Sequence, residues 1–147
     1  MLSRLLLKHL HMSVALASLI FLTGAQCQSE QAMLALSEVN TFRMEHGLPA
    51  FQLDSDLTIR AIQRLDEVVT SQAVSHNGVQ AYVRDVLMIE LLGTAPEQYE
   101  SVAHAVVWGW THSPQHSALL LDPYWTKAGI AAAKADDGNT YFVLFLE

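Results

Sequence analysis

A chain with a single cysteine cannot close an internal disulfide, and Cys27 is the only cysteine in this sequence. The constraint matters because the N-terminus reads as an export leader. Arg4 and Lys8 precede an apolar run broadly from Met12 to Leu22, and the small-residue stretch Thr23-Gly24-Ala25 follows before Gln26. Exported domains usually have disulfides available to them. This one must hold its fold by its core alone, which suits a bacterial-type exported domain better than an animal or plant secreted one. With 147 residues, 51% of them apolar and 16% charged, it has room for one domain with a real core. Intrinsic disorder, a collagen-like repeat and a disulfide-dense miniprotein are excluded on the same ground.

The expected division is a signal peptide over residues 1–25 and one domain over residues 26–147. The apolar run falls short of the roughly 20 residues a membrane-spanning helix needs, so no transmembrane segment is expected in the mature chain. A lipoprotein signal would place a small residue immediately before Cys27, and Gln26 stands there. A secreted or periplasmic protein with a free thiol near its N-terminus is therefore expected over a lipidated one. Removing residues 1–25 takes away two basic side chains and leaves 6 basic against 15 acidic, a net charge of -9 in place of -7. That balance excludes nonspecific binding to nucleic acid or anionic membrane, both of which need clustered Lys and Arg.

No internal repeat, low-complexity tract or long linker divides the rest. From Ala32, apolar residues recur at Ala35, Leu36, Val39 and Phe42, the spacing of one helical face, and Gly47 and Pro49 stop the pattern. Asp54, Ser55 and Asp56 offer N-cap chemistry to a second helix with Leu57, Ala61, Leu65, Val68 and Gln72 on one side. It should run out by Ser75-His76-Asn77-Gly78. Thr94-Ala95-Pro96-Glu97 combines a capping box with a proline near the first turn, which predicts a third helix with Tyr99, Val102, Ala103, Val106 and Trp110 inside. Ser113-Pro114 repeats the start signal for a short fourth helix. Lys127 to Ala135 and Thr140 to Leu146 are apolar, lack helix caps and flank Asp136-Asp137-Gly138-Asn139, a hairpin signal. Helices first and a hairpin last predict an α+β domain with helices packed on an antiparallel sheet, any third strand lying between Gln80 and Leu92.

The chemistry left by elimination is histidine. No nucleotide-binding glycine pattern, Gly-x-Ser-x-Gly elbow or His-Glu-x-x-His helix occurs. His112 and His116 have the spacing of a metal-ligand pair on one helix, but Pro114 argues that His112 lies before the fourth helix and His116 in its first turn. There the positive end of the helix dipole disfavours imidazolium, and a neutral ring is what a ligand or general base requires. His76 sits in a turn, and Glu90 is a carboxylate inside the apolar stretch Val86 to Leu92, where it is either edge-exposed or paired. Taken singly, each of the three reads more readily as structural. Trp108, Trp110, Tyr124 and Trp125 could line a groove, although such spacings more often mark a core.

Taken together, these positions resemble the CAP superfamily, the domain of cysteine-rich secretory proteins, insect antigen 5 and plant pathogenesis-related proteins, also called the SCP domain. Leu36 to Ala50, with Asn40-x-x-Arg43 and His46-Gly47-Leu48-Pro49, is similar to its opening helix. Ser75-His76-Asn77-Gly78 resembles the first histidine motif, Trp110-Thr111-His112-Ser113-Pro114-Gln115-His116 the Trp-x-x-Ser-Pro-x-His motif, and Lys127-Ala128-Gly129-Ile130 with the closing hairpin the C-terminal strands. The resemblance implies an α-β-α sandwich with a small antiparallel sheet between helical layers. It also implies a cleft holding His76 and His116, with Glu90 matching the family's carboxylate. The second glutamate of larger members is lost here, where His112-Ser113 stands.

The resemblance alone does not fix a function, and the expected one is a non-enzymatic exported binding or interaction module. Its cleft is expected to take a divalent metal such as zinc, through His76 and His116 with Glu90 a weaker third, or a small apolar ligand such as a lipid or cell-envelope component. The alternative is a hydrolase of peptide, ester or cell-wall substrates using His76, Glu90 and His116. Ser75, Ser113 and Ser117 lie near the histidines, but no third orienting group can be named for any of them from the sequence.

Overall fold

The C-terminal hairpin organises the chain. In the computed structural model, which describes residues 30–83 and 87–147, β3 (Lys127–Lys134) and β4 (Asn139–Leu146) pair antiparallel. The turn between them places Gly138 at φ +81, a left-handed conformation that suits glycine. The expected leader and Cys27 lie outside the described residues. β2 (Ile89–Pro96) pairs antiparallel with β4, and the two-residue β1 (Gln52–Leu53) lies parallel on β3, giving the order β1-β3-β4-β2. The sheet is therefore mixed and not wholly antiparallel. The parallel edge arises because Gln52 N–H donates to the Thr126 carbonyl at 2.9 Å and Asp54 N–H to that of Ala128 at 2.8 Å.

Strand alternation makes two cores. On one face, Phe142, Leu144 and Leu146 of β4 join Ala128, Ile130 and Ala132 of β3 and Leu91 of β2. These pack against α1 (residues 30–45), α3 (Val102–His112) and α4 (Pro114–Leu120). On the other face, Tyr141, Val143 and Phe145 join Ala131 and Leu92 beneath α2 (Ser55–Ser71), which supplies Leu57, Ala61, Leu65 and Val68. The result is an α-β-α sandwich. A Cβ at Gly129 would stand 2.2 Å from the Leu57 carbonyl carbon, so α2 rests backbone to backbone on β3 and only glycine fits there.

The helices begin and end largely where their capping residues place them. α1 buries Ala32, Ala35, Leu36 and Val39, with Phe42 partly buried, and stops at Gly47 with φ +78, where Leu48 N–H reaches back to the Arg43 carbonyl at 3.0 Å. Asp54 caps α2, accepting from the N–H groups of Asp56 and Leu57 at 2.9 and 3.0 Å. Gln72, expected on the inner face, is instead the exposed C-cap at φ 48.

Two expectations are corrected in the middle of the chain. Thr94-Ala95-Pro96 does not open a helix: it completes β2, paired with Tyr141, Thr140 and Asn139 of β4. α3 starts after Ser101, whose hydroxyl accepts from His104 N–H at 3.1 Å, so Tyr99 lies outside the helix and is exposed. The third strand accordingly spans Ile89–Pro96, overlapping only the end of the expected region.

Buried Arg43 ties α1 to the segment after α4. Its Nε donates to the Pro49 carbonyl at 2.9 Å, Nη1 donates to that of Leu120 and Nη2 to that of Trp125 at 3.3 Å, while the guanidinium stacks 3.8 Å over the Phe51 ring. Burial lowers its pKa, opposed by the charge of Asp122. Asn40 completes the joint by accepting from Phe51 N–H at 2.8 Å. These contacts fix the end of α4, the helix that carries His116.

Candidate functional site

β2 is an edge of the sheet, and there the two helical layers come round to meet. The turn after α2 brings His76 and Val79 from one side; α4 brings Gln115, His116 and Leu119 from the other. With Val83, Met88, Ile89 and Glu90 they line an open hollow of about 320 Å³. The three residues singled out from the sequence, His76, Glu90 and His116, therefore share one cleft.

Glu90 lies opposite Phe145 in the β2–β4 ladder, which turns its carboxylate into the α2 layer between Met88 and Leu92. Its side chain is 2% exposed, so an unpartnered charge there would be expensive. Both oxygens are engaged: Oε1 accepts from Arg64 Nε at 2.7 Å, and Oε2 faces His76 Nδ1 at 2.8 Å. A carboxylate already bound by a guanidinium accepts only, so the facing Nδ1 is the nitrogen that carries a proton, which leaves Nε2 as the one that can offer a lone pair. The His76 side chain is 59% exposed at the mouth of the cleft.

His116 stands in the first turn of α4, as expected, with Nδ1 at 3.0 Å from the hydroxyl of Ser113, the helix's N-cap residue. Burial, and secondarily the nearby His76, lowers its pKa, so it holds the neutral form to lower pH than an ordinary histidine. His112 does not join it. That ring ends α3, stacks on Trp108 at 4.2 Å and donates from Nδ1 to the Trp108 carbonyl at 2.8 Å. The four aromatic residues do not form a groove together: Trp110 and Trp125 are core, while Trp108 and Tyr124 are exposed. Trp108 instead borders a separate hollow with Tyr99, Glu100, Ser101, His104 and Ala105.

A resident metal needs more donors than this. Among the described residues no group of three His, Cys, Asp or Glu side chains is arranged to hold a metal ion. Two imidazoles are too few for a closed structural zinc site of four protein donors; a metal held by them would have to draw its remaining positions from ligand or water. Of the nearby serines, Ser113 is bonded to His116 but does not line the cleft. Ser75 accepts from Asn77 N–H through its hydroxyl at 3.2 Å and from Arg64 through its carbonyl at 2.6 Å.

Arg64 is the residue that sequence reasoning missed. It is three residues after Ala61 and four before Val68, on the apolar face of α2, and a charged side chain at such a position signals a buried partner.

Solved structures share this architecture. An outer surface protein from Borrelia burgdorferi superposes with a TM-score of 0.68 at 21% identity, covering 80% of this chain and 91% of that one. An extracellular protein containing a SCP domain from Bacillus anthracis gives 0.66 at 20% identity, covering 84% of this chain; this chain spans only 42% of that protein. NaASP2, whose structure was solved with Zn2+, gives 0.63 at 11% identity, covering 81% and 80%. No curated protein matches the sequence. Among the described residues no helix is long and apolar enough to cross a membrane. The profile of the cysteine-rich secretory protein family, CAP, matches residues 36–145, from the body of α1 to the penultimate residue of β4. Every cleft residue falls inside that span, and the chain belongs to the CAP family.

Proposed function

We propose that this is an exported, non-enzymatic binding module that takes a small ligand at the edge of its sheet, its polar end meeting His76 and His116 either directly or through a divalent cation such as zinc. The observation that carries the reading is the shared cleft, in which two imidazoles stand among the apolar side chains of Val79, Val83, Met88, Ile89 and Leu119. Such a lining suits a ligand with an apolar body, a lipid or cell-envelope fragment, and a head that seeks nitrogen donors. Export is supported by the leader-like pattern of Arg4 and Lys8 ahead of the apolar run from Met12 to Leu22, and by similarity to proteins described as outer surface and extracellular.

Calorimetric titration with zinc tests the site. Heat of binding in the wild type, lost in a His76→Ala, His116→Ala double variant that keeps its circular dichroism, is expected; undiminished heat in that variant removes the cleft from consideration. One observation favours a second reading, hydrolysis: a histidine held at Nδ1 by a carboxylate is oriented as general bases are. Turnover of peptide, ester or cell-wall substrates that Glu90→Gln abolishes would promote it over binding.

A further inference from the structure

Arg64 is almost fully buried, with its side chain 4% exposed, and its three donor groups go to three parts of the wall behind the cleft. Nε donates to Glu90 Oε1 at 2.7 Å, Nη2 to the Ser75 carbonyl at 2.6 Å and Nη1 to Glu67 Oε2 at 2.8 Å. Ser75 immediately precedes His76. One guanidinium therefore grips that histidine twice, through the carboxylate that holds its ring and through the backbone that carries it.

The third contact extends the hold to the neighbouring wall. Glu67 accepts from Tyr82 Oη–H at 2.8 Å, and Val79 and Val83 to either side of Tyr82 line the cleft. The turn itself closes on the ion pair: a Cβ at Gly78, φ +90, would stand 3.4 Å from Glu67 Oε2 and 3.5 Å from Arg64 Nη1. Compensating the buried charge of Glu90 requires only one cation, which a lysine could supply. Reaching Ser75 and Glu67 at the same time requires the rigid, planar fork of an arginine.

We propose that Arg64 is the positioning residue of the cleft: it fixes Glu90 and the Ser75–His76 backbone so that His76 keeps its proton on Nδ1 and presents Nε2 to an incoming ligand. The inference rests on reading the cleft as a binding site, and its test separates the two claims. Long-range nitrogen–proton spectra of the histidine rings, recorded above about pH 8 where histidines are ordinarily neutral, report the tautomer directly. The wild type should show His76 protonated at Nδ1. Arg64→Lys, which keeps the charge and loses the fork, should mix the tautomers of His76 while leaving the His116 signals in place, and should weaken binding of the zinc ion alone by about 10- to 100-fold. Glu67→Gln, at a side chain that is 51% exposed, spares the buried pair and should give an intermediate mixture even if Arg64→Lys proves unfolded. A His76 protonated at Nε2 in the wild type, or an unmixed Nδ1 tautomer in both variants, overturns the proposal. Tautomers that mix as expected in a protein that never binds zinc uphold the positioning role and reject only the cation-binding form of the proposed function.

Discussion

Tyr82 donates its phenol proton to Glu67 at 2.8 Å, and the bond has a consequence in alkaline solution. Burial first, then the hydrogen bond and charge of Glu67, push its pKa up from 10.0 to about 12. Between those two values the unfolded chain has released the proton and the folded chain still holds it. This contribution to stability is complete below pH 10.0 and disappears as pH rises to about 12. Urea midpoints measured across that window should fall, and Tyr82→Phe should fall less steeply. Single residues of this kind are visible in the sequence, but their partners are not. Arg43 and Arg64 both interrupt apolar helix faces and so announce buried charge. Glu90 lies 26 residues beyond Arg64 and becomes its partner only through the register of β2 against β4. His76 and His116 were legible from their motifs, whereas the residue that holds His76 in place needed the sheet to be drawn first.

Capping signals divide the elements into those that read correctly and the one that does not. Asp54 and Ser113 stand where they read, Asp54 capping α2 through its carboxylate and Ser113 preceding Pro114 at the start of α4. Thr94-Ala95-Pro96-Glu97 has equally good start chemistry, yet cross-strand pairing with Asn139–Tyr141 takes its first three residues into β2. Glu97 then turns to the hairpin instead of capping a helix, accepting from Thr140 and from Lys134, the latter at 3.1 Å. Burial and its hydrogen bonds have opposing effects there; the hydrogen bond from Thr140 is the largest influence and leaves the Glu97 pKa lowered. If Ser101 is the true cap of α3, Ser101→Ala should cost about 1 kcal/mol in chemical denaturation. Thr94→Ala, at an exposed strand position, should stay within about 0.5 kcal/mol of the wild type. The reverse ranking would restore the earlier helix start.

Across the whole molecule, the layered plan followed from local patterns, helical faces before a terminal hairpin, while the mixed character of the sheet did not. β1 is two residues long and meets its partner, Lys127 and Ala128, from the far end of the chain, so no local periodicity marks it. The same long-range geometry places the cleft. His76 follows the helix on one face of the sheet, and His116 belongs to a helix on the other. A ligand touching both rings is therefore a clamp across the sandwich, and its binding energy becomes folding energy. At 100 times its dissociation constant, a ligand specific to the folded state adds about 2.7 kcal/mol. Zinc, or any true occupant, should raise the melting temperature of the wild type and leave the His76→Ala, His116→Ala variant unmoved. Melting curves recorded against a library of envelope lipids and metal ions would thus find the occupant without knowing its chemistry in advance, since a protein with no disulfide to lock its layers has the most to gain from a guest that spans them.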